Sequence, residues 1–336
     1  QEIDCIVGNQ NEIVGGKTGQ ELSPTQVFRK NNGTEPGTLD PHRAEGVPAS
    51  NVLRDLFEGL VMEDPSGAYI PGAAESWSLS EDAKTYVFKM RENGKWSNGD
   101  AVTAEDFVYG LRRSVDPATL SNYSSMLYPI KNARDIVLGK KSSETLGVRA
   151  NGPTTLIIEL DEPTPYFLSL LTHSTTYAAH RPSVEEFGAR FTRPGNLVGN
   201  GAFKLEEWRV QSHIKLARNT EYWDNKNTTL EEVYYYPLDD VNSSFKRYRA
   251  QELDFTETVL AEQLPWIRQC LPSDLKISPY FGSYYYGFNN TQPPFKNKPK
   301  LRTALSMAVD RNVITDIILG AGQIPAYSLV PSVKTF

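Results

Sequence analysis

Apolar runs in this sequence are no longer than Tyr166–Leu171 (YFLSLL), far short of the roughly 20 residues a membrane-spanning helix requires. The chain is therefore not expected to span a bilayer. The 336 residues correspond to about two domains at roughly 150 residues each, and a chain of this length buries a sizeable core without staples. Hydrophobic residues at 39% and charged residues at 23% place it outside the disordered, collagen-like and coiled-coil classes.

Charge and cysteine usage narrow the partners. There are 41 acidic against 35 basic residues, a net charge of -6, and no basic block. A nucleic-acid partner is therefore not expected. The four histidines, His42, His173, His180 and His213, lack metal-ligand spacing, and Cys5 and Cys270 alone make neither a zinc site nor a disulfide-dense framework. No metal and no cofactor is expected. A single long-range bridge stays open.

Periodicity predicts a mixed chain of helices and strands. A helix over Ala49–Gly59 carries Val52, Leu53, Leu56 and Phe57 as one stripe, with Ser50 as its cap and Gly59 as its stop. Arg54, Asp55 and Glu58 then face water. Thr103 and Asp106 have the form of a capping box ahead of a helix ending near Ser114. Strands are predicted at Tyr86–Met90, Thr155–Leu160, Ile214–Arg218 and Glu232–Tyr236, and helices at Tyr166–Leu171, Ser243–Ala250 and from Leu301 to Ala308. Asp310 can cap a further helix through Val313, Ile314, Ile317 and Ile318. Aromatic residues are the compositional oddity, and Tyr234-Tyr235-Tyr236 and Tyr284-Tyr285-Tyr286 each read as part of one strand. Alternation then sends one ring of each triplet into a core, while another can line a cleft.

Enzyme motifs are scarce. There is no GxSxG elbow, Walker A loop, HExxH or GxGxxG, and Gly199-Asn200-Gly201 is only a GxG fragment. Adjacent acids at Glu105/Asp106, Glu185/Glu186 and Asp239/Asp240 have the residue types of glycosidase chemistry, but such pairs are usually solvated.

Ordered blocks nevertheless resemble one family. They include Leu39-Asp40-Pro41-His42, Glu45-Gly46-Val47-Pro48, Arg54-Asp55-Leu56-Phe57-Glu58-Gly59-Leu60 and Pro71-Gly72-Ala73-Ala74-Glu75-Ser76-Trp77. Lys95-Trp96-Ser97-Asn98-Gly99, Val102 through Tyr109, Pro194-Gly195-Asn196, Tyr284 through Asn289, Pro293-Pro294-Phe295 and the Leu301–Arg311 helix continue the order. From about Phe28 onward the chain resembles the oligopeptide-binding receptors of bacterial ABC importers.

The resemblance implies an α/β, periplasmic-binding-protein-like fold of the three-lobed type II. Lobe I would be discontinuous, residues 1–58 and 181–281, with lobe II at 59–180 and only the beginning of lobe III at 282–336, so that the chain reads as C-terminally short. The implied function is a non-catalytic receptor that captures short peptides in a cleft and delivers them to importer membrane subunits. Murein peptides, dipeptides, nickel chelates, haem and sugars are the ligands of other family members. The implied location is the periplasm, reached through a signal peptide absent from this numbering. By alignment, Glu45, Val47, Tyr123, His173, Tyr280 and Tyr285 are the expected peptide-binding residues. Gly287 stands where some members carry an acid. Both cysteines fall in the expected lobe I, and an oxidising compartment would bridge Cys5 to Cys270.

Overall fold

A computed structural model of the chain describes residues 22–278, 280 and 282–331. In chain order the elements are β1 (Val27–Asn31), α1 (Gly46–Leu56), β2 (Val61–Glu63), β3 (Tyr69–Pro71), β4 (Ala74–Leu79), β5 (Thr85–Met90) and α2 (Ala104–Val115). Next come α3 (Ala133–Val137), β6 (Val148–Ala150), β7 (Thr155–Glu159), α4 (Phe167–Leu170), α5 (Arg181–Phe187), β8 (Phe203–Arg209), β9 (His213–Arg218) and β10 (Glu232–Tyr236). The last helices are α6 (Val241–Arg249), α7 (Leu264–Cys270) and α8 (Pro299–Met307), followed by a π-helical segment at Val313–Leu319. Among the described residues no helix is long and apolar enough to cross a membrane.

The described residues form two compact units, 22–257 and 258–331. In the larger unit a four-stranded sheet runs β1-β10-β9-β8, with β1 parallel to β10 and the rest antiparallel. It draws strands from both segments of the expected lobe I. Val233 and Tyr235 are buried while Tyr234 and Tyr236 stay half-exposed, the alternation a sheet with one buried face requires. A second antiparallel sheet, β4-β5-β7-β6, lies wholly within residues 59–180, and β2 and β3 make a hairpin beside it. Helix α2 packs on β6 and β7 and buries Phe107, Val108 and Leu111. Its start is fixed by Asp106, whose Oδ2 accepts from the Thr103 N–H at 2.7 Å and from the Thr103 hydroxyl at 2.9 Å.

Helix α1 departs from the periodicity reading. It begins three residues earlier, at Gly46, because Pro48 sits in the first turn where its missing N–H is tolerated. Ser50 is therefore inside the helix and caps nothing. The helix ends at Leu56, so the stripe stops before Glu58, which is buried at 3% exposure rather than facing water. Asp55 is also drawn in, accepting a 2.6 Å hydrogen bond from the Tyr235 hydroxyl. Arg54 alone of the three is exposed.

In the smaller unit, α7 buries Leu264 and Ile267, whereas α8 buries none of its residues. Tyr284, Tyr285 and Tyr286 are 87%, 69% and 85% exposed and belong to no strand, which corrects the strand expected there. A run of tyrosines becomes a strand only where a neighbour completes its ladder, and none of the described residues pairs with this one. Asp310 does cap the following segment, its Oδ1 accepting from the N–H groups of Asn312 and Val313. The expected boundary at 281/282 falls inside this unit.

Candidate functional site

The larger unit brings four of the six expected ligand residues onto two neighbouring loop systems. Glu45 is the N-cap of α1 and Val47 lies exposed in its first turn. Across from them, the loop before a 3-10 turn at Ser124–Leu127 carries Asn122 and Tyr123. The Asn122 side-chain amide donates to Glu45 Oε1, joining the expected lobes I and II through two exposed polar groups. One residue on, the half-buried Tyr123 ring meets His173 edge-on with centroids 5.1 Å apart.

His173 is positioned by the turn it starts. Its Nδ1 accepts from the Thr175 N–H at 3.2 Å. Burial, with the Arg54 charge nearby, pushes its pKa below the ordinary imidazole value, so the ring is neutral at pH 7. With Nδ1 accepting, the hydrogen of the neutral ring sits on Nε2. His173 is thus a donor for an oxygen of a bound group.

Tyr280 and Tyr285 lie in the smaller unit and are both exposed. Gly287 has open space around its missing side chain. Cys270 closes α7, and Cys5 lies outside the described residues. A cavity of about 470 Å³ elsewhere in the larger unit, lined by Asp40, Arg43, Tyr109, Arg112 and Arg113, contains none of the six residues.

Two buried polar networks escaped the sequence reading. In one, Asp40 accepts from Arg113 through both carboxylate oxygens, at 2.8 and 2.6 Å, and Arg113 also donates to His42 Nδ1 at 2.8 Å. His42 therefore carries its hydrogen on Nε2 and donates to the Tyr177 carbonyl at 2.9 Å. Burial, aided by the Arg113 charge, lowers the His42 pKa to about 4. In the other, Glu58 accepts from the Tyr222 hydroxyl at 2.5 Å and from Trp223 Nε1–H at 2.9 Å, with Arg91 stacked 3.5 Å from the Trp223 ring centre. Burial pushes the Glu58 carboxyl up to about 7.

The Glu58 network joins the segment after α1 to the loop before β8. Asn200 Oδ1 accepts from the Glu58 N–H and its Nδ2 donates to the Glu58 carbonyl, both at 3.0 Å. A Cβ on Gly199 or Gly201 would overlap the carbonyl oxygens of Leu56 and Asp55 respectively. The GxG fragment is there for close backbone approach.

One acid of each pair that raised the glycosidase option is engaged structurally. Asp106 and Asp240 receive helix N-termini, and Glu185 pairs with Arg181 at 2.6 Å within α5. A serine, a histidine and an acid also meet: His180 Nδ1 lies 2.7 Å from Ser183 Oγ, and its Nε2 lies 3.0 Å from Asp100 Oδ2. His180 is the N-cap of α5, and Ser183 is buried, so this constellation ties down a helix start.

The model of the bacterial extracellular solute-binding proteins, family 5 (middle), matches residues 68–335. The chain belongs to this family. The family 5 chain is 43% identical over 316 residues to the periplasmic oligopeptide-binding protein OppA of Salmonella typhimurium, covering 93% of this chain and 58% of that protein. It is 39% identical over 318 residues to the periplasmic murein peptide-binding protein MppA of Escherichia coli, covering 94% and 59%. Among solved structures it is similar to Haemophilus influenzae OppA in complex with RPPGFSPFR, with a TM-score of 0.89 and 41% identity, covering 93% of this chain and 61% of that one. The chain thus spans about 60% of the length of the family 5 proteins it matches. Its α/β fold is that of the periplasmic binding proteins.

Proposed function

We propose that this chain serves as an extracytoplasmic receptor that captures short peptides and delivers them to the membrane subunits of an ABC importer, with no bond made or broken. The observation that carries this reading is the wall built by Glu45, Asn122, Tyr123 and His173 in a chain similar to a receptor solved with a nonapeptide. An extended peptide offers backbone N–H groups to the Glu45 carboxylate and accepts from His173 Nε2–H, while the Tyr123 ring supplies apolar contact. Backbone recognition of this kind depends weakly on peptide sequence. The Val47 backbone, exposed in the first turn of α1, is proposed as a further contact. The likeness to MppA supports murein peptides as a second ligand class.

Calorimetry with trilysine and with a murein tripeptide tests the reading; no heat of binding with either would overturn it. Tyr123→Ala should weaken binding about tenfold, a loss of about 1.4 kcal/mol, with the melting temperature nearly unchanged. Truncating a core aromatic instead costs roughly 3 to 5 kcal/mol of stability, so a large fall in melting temperature would place Tyr123 in the core rather than the wall.

The Cys5–Cys270 bridge is proposed on the same grounds of compartment. Closing so long a loop stabilises by roughly 5 to 6 kcal/mol in the chain-entropy picture. Alkylation of the denatured, unreduced protein should label neither cysteine; two labels would remove the bridge.

A further inference from the structure

We propose that Asn122 is a positioning residue for the peptide, acting through Glu45; this rests on the receptor reading above. The Glu45 side chain stands at the N-terminus of α1, where no side-chain cap bond of its own holds it. The bond that fixes it comes from the other loop system, from the Asn122 amide to Oε1. An amide donor is suited to this task because it orients a carboxylate without neutralising it. Oε2, and the second lone pair of Oε1, stay available for donors on a ligand.

The loop that presents Asn122 is shaped for the purpose. Leu120 just before it adopts φ +58° and leaves its side chain 69% exposed. A left-handed conformation is unfavourable for a residue with a Cβ, which approaches the following carbonyl oxygen too closely. The Ser121 hydroxyl is buried without a hydrogen-bond partner among the described residues. Beyond Asn122, Tyr123 packs on His173. One short loop therefore orients both the acceptor, Glu45, and the neighbour of the donor, His173. Its two consecutive side chains reach two groups expected to touch peptide.

Asn122→Asp tests the assignment by changing only the donor into a second acceptor. At pH 7.5 the two carboxylates repel, Glu45 leaves its place, and trilysine affinity should fall about tenfold or more, since like charges placed together are strongly disfavoured at an interface. In a Glu45→Gln background the same substitution should be harmless or favourable. The amide of the introduced glutamine can donate to the carboxylate of the introduced aspartate, which restores the bridge with its polarity reversed and returns a carboxylate to the wall. This reversal of sign is the diagnostic, because a merely structural Asn122 gives the same loss in both backgrounds. Wild-type binding of trilysine together with an equal effect of Asn122→Asp in both backgrounds, or no effect in either, overturns the positioning role alone. No binding of trilysine or of the murein tripeptide by the wild-type chain overturns the receptor reading, and this role with it.

Discussion

Asp40→Ala should destabilise the larger unit by about 3 to 5 kcal/mol, the cost of leaving one member of a buried ion pair alone. The Asp40 and Arg113 side chains are only 6% and 16% exposed. Burial by itself pushes the Asp40 carboxyl up, but the hydrogen bonds from Arg113 and its charge outweigh that and hold it below the usual carboxylate range. Removing the carboxylate strands the guanidinium and also frees the His42 N–H, which Asp40 Oδ1 accepts at 3.0 Å. Since about 1 kcal/mol moves the melting temperature of a 150–250-residue unit by about 2 to 4 °C, the expected fall is about 10 °C. Asp40→Asn keeps the shape and one acceptor and should lose less. A loss below about 1 kcal/mol in Asp40→Ala, read by denaturant unfolding, would mean that Arg113 is solvated from the cavity it lines.

How much of this was legible in advance depends on the range over which each interaction is encoded. The start of α2 could be read because Thr103 and Asp106 are three residues apart and their bonds are local. The strand at Tyr234–Tyr236 was legible because β9, with its own alternation, lies close by in the chain to pair with it. Tyr284–Tyr286 carries the same local signal, and the signal says nothing about whether a partner strand exists. The ordered blocks led to the family and its fold directly, since many short matches in sequence order are far more specific than any one. Asp40 and Arg113, 73 positions apart, could not be paired from periodicity, and neither could Glu58 with Tyr222 and Trp223. Periodicity puts Glu58 on a wet helix face only because it runs α1 three residues past its end at Leu56. Asn122 carried no signal at all: its meaning lies in the loop that sets it against Glu45.

Between pH 7 and pH 4.5 the two buried networks should oppose each other, and removing either should expose the other. The Glu58 carboxyl rises from 4.5 to about 7 on folding, through burial that its bonds to Tyr222 and Trp223 and the charge of Arg91 only partly offset, with Asp224 adding to the rise. Tyr177 faces the same pocket. The folded state therefore holds this proton more tightly than the unfolded chain, and the stability that results is full below about 4.5 and lost as pH rises through about 7. At 1.36 kcal/mol per pH unit that is about 3 kcal/mol. His42 runs the other way. Its pKa falls from 6.5 to about 4 on folding, so its contribution is full above about 6.5 and lost as pH falls through about 4, again about 3 kcal/mol. Glu58→Gln preserves an acceptor for Trp223 Nε1–H and an amide for the Tyr222 oxygen, while the titrating proton is gone. Relative to wild type, Glu58→Gln should match at pH 4.5 and be more stable by about 3 kcal/mol at pH 8, so that its own stability falls on acidification. His42→Gln should match wild type at pH 8 and become progressively more stable than it toward pH 4.5. Denaturant midpoints for the three proteins at half-unit steps decide this. A Glu58→Gln profile parallel to that of wild type would mean that the Glu58 carboxylate is solvated in the folded chain, and its network with Tyr222 and Trp223 would then lose its electrostatic character.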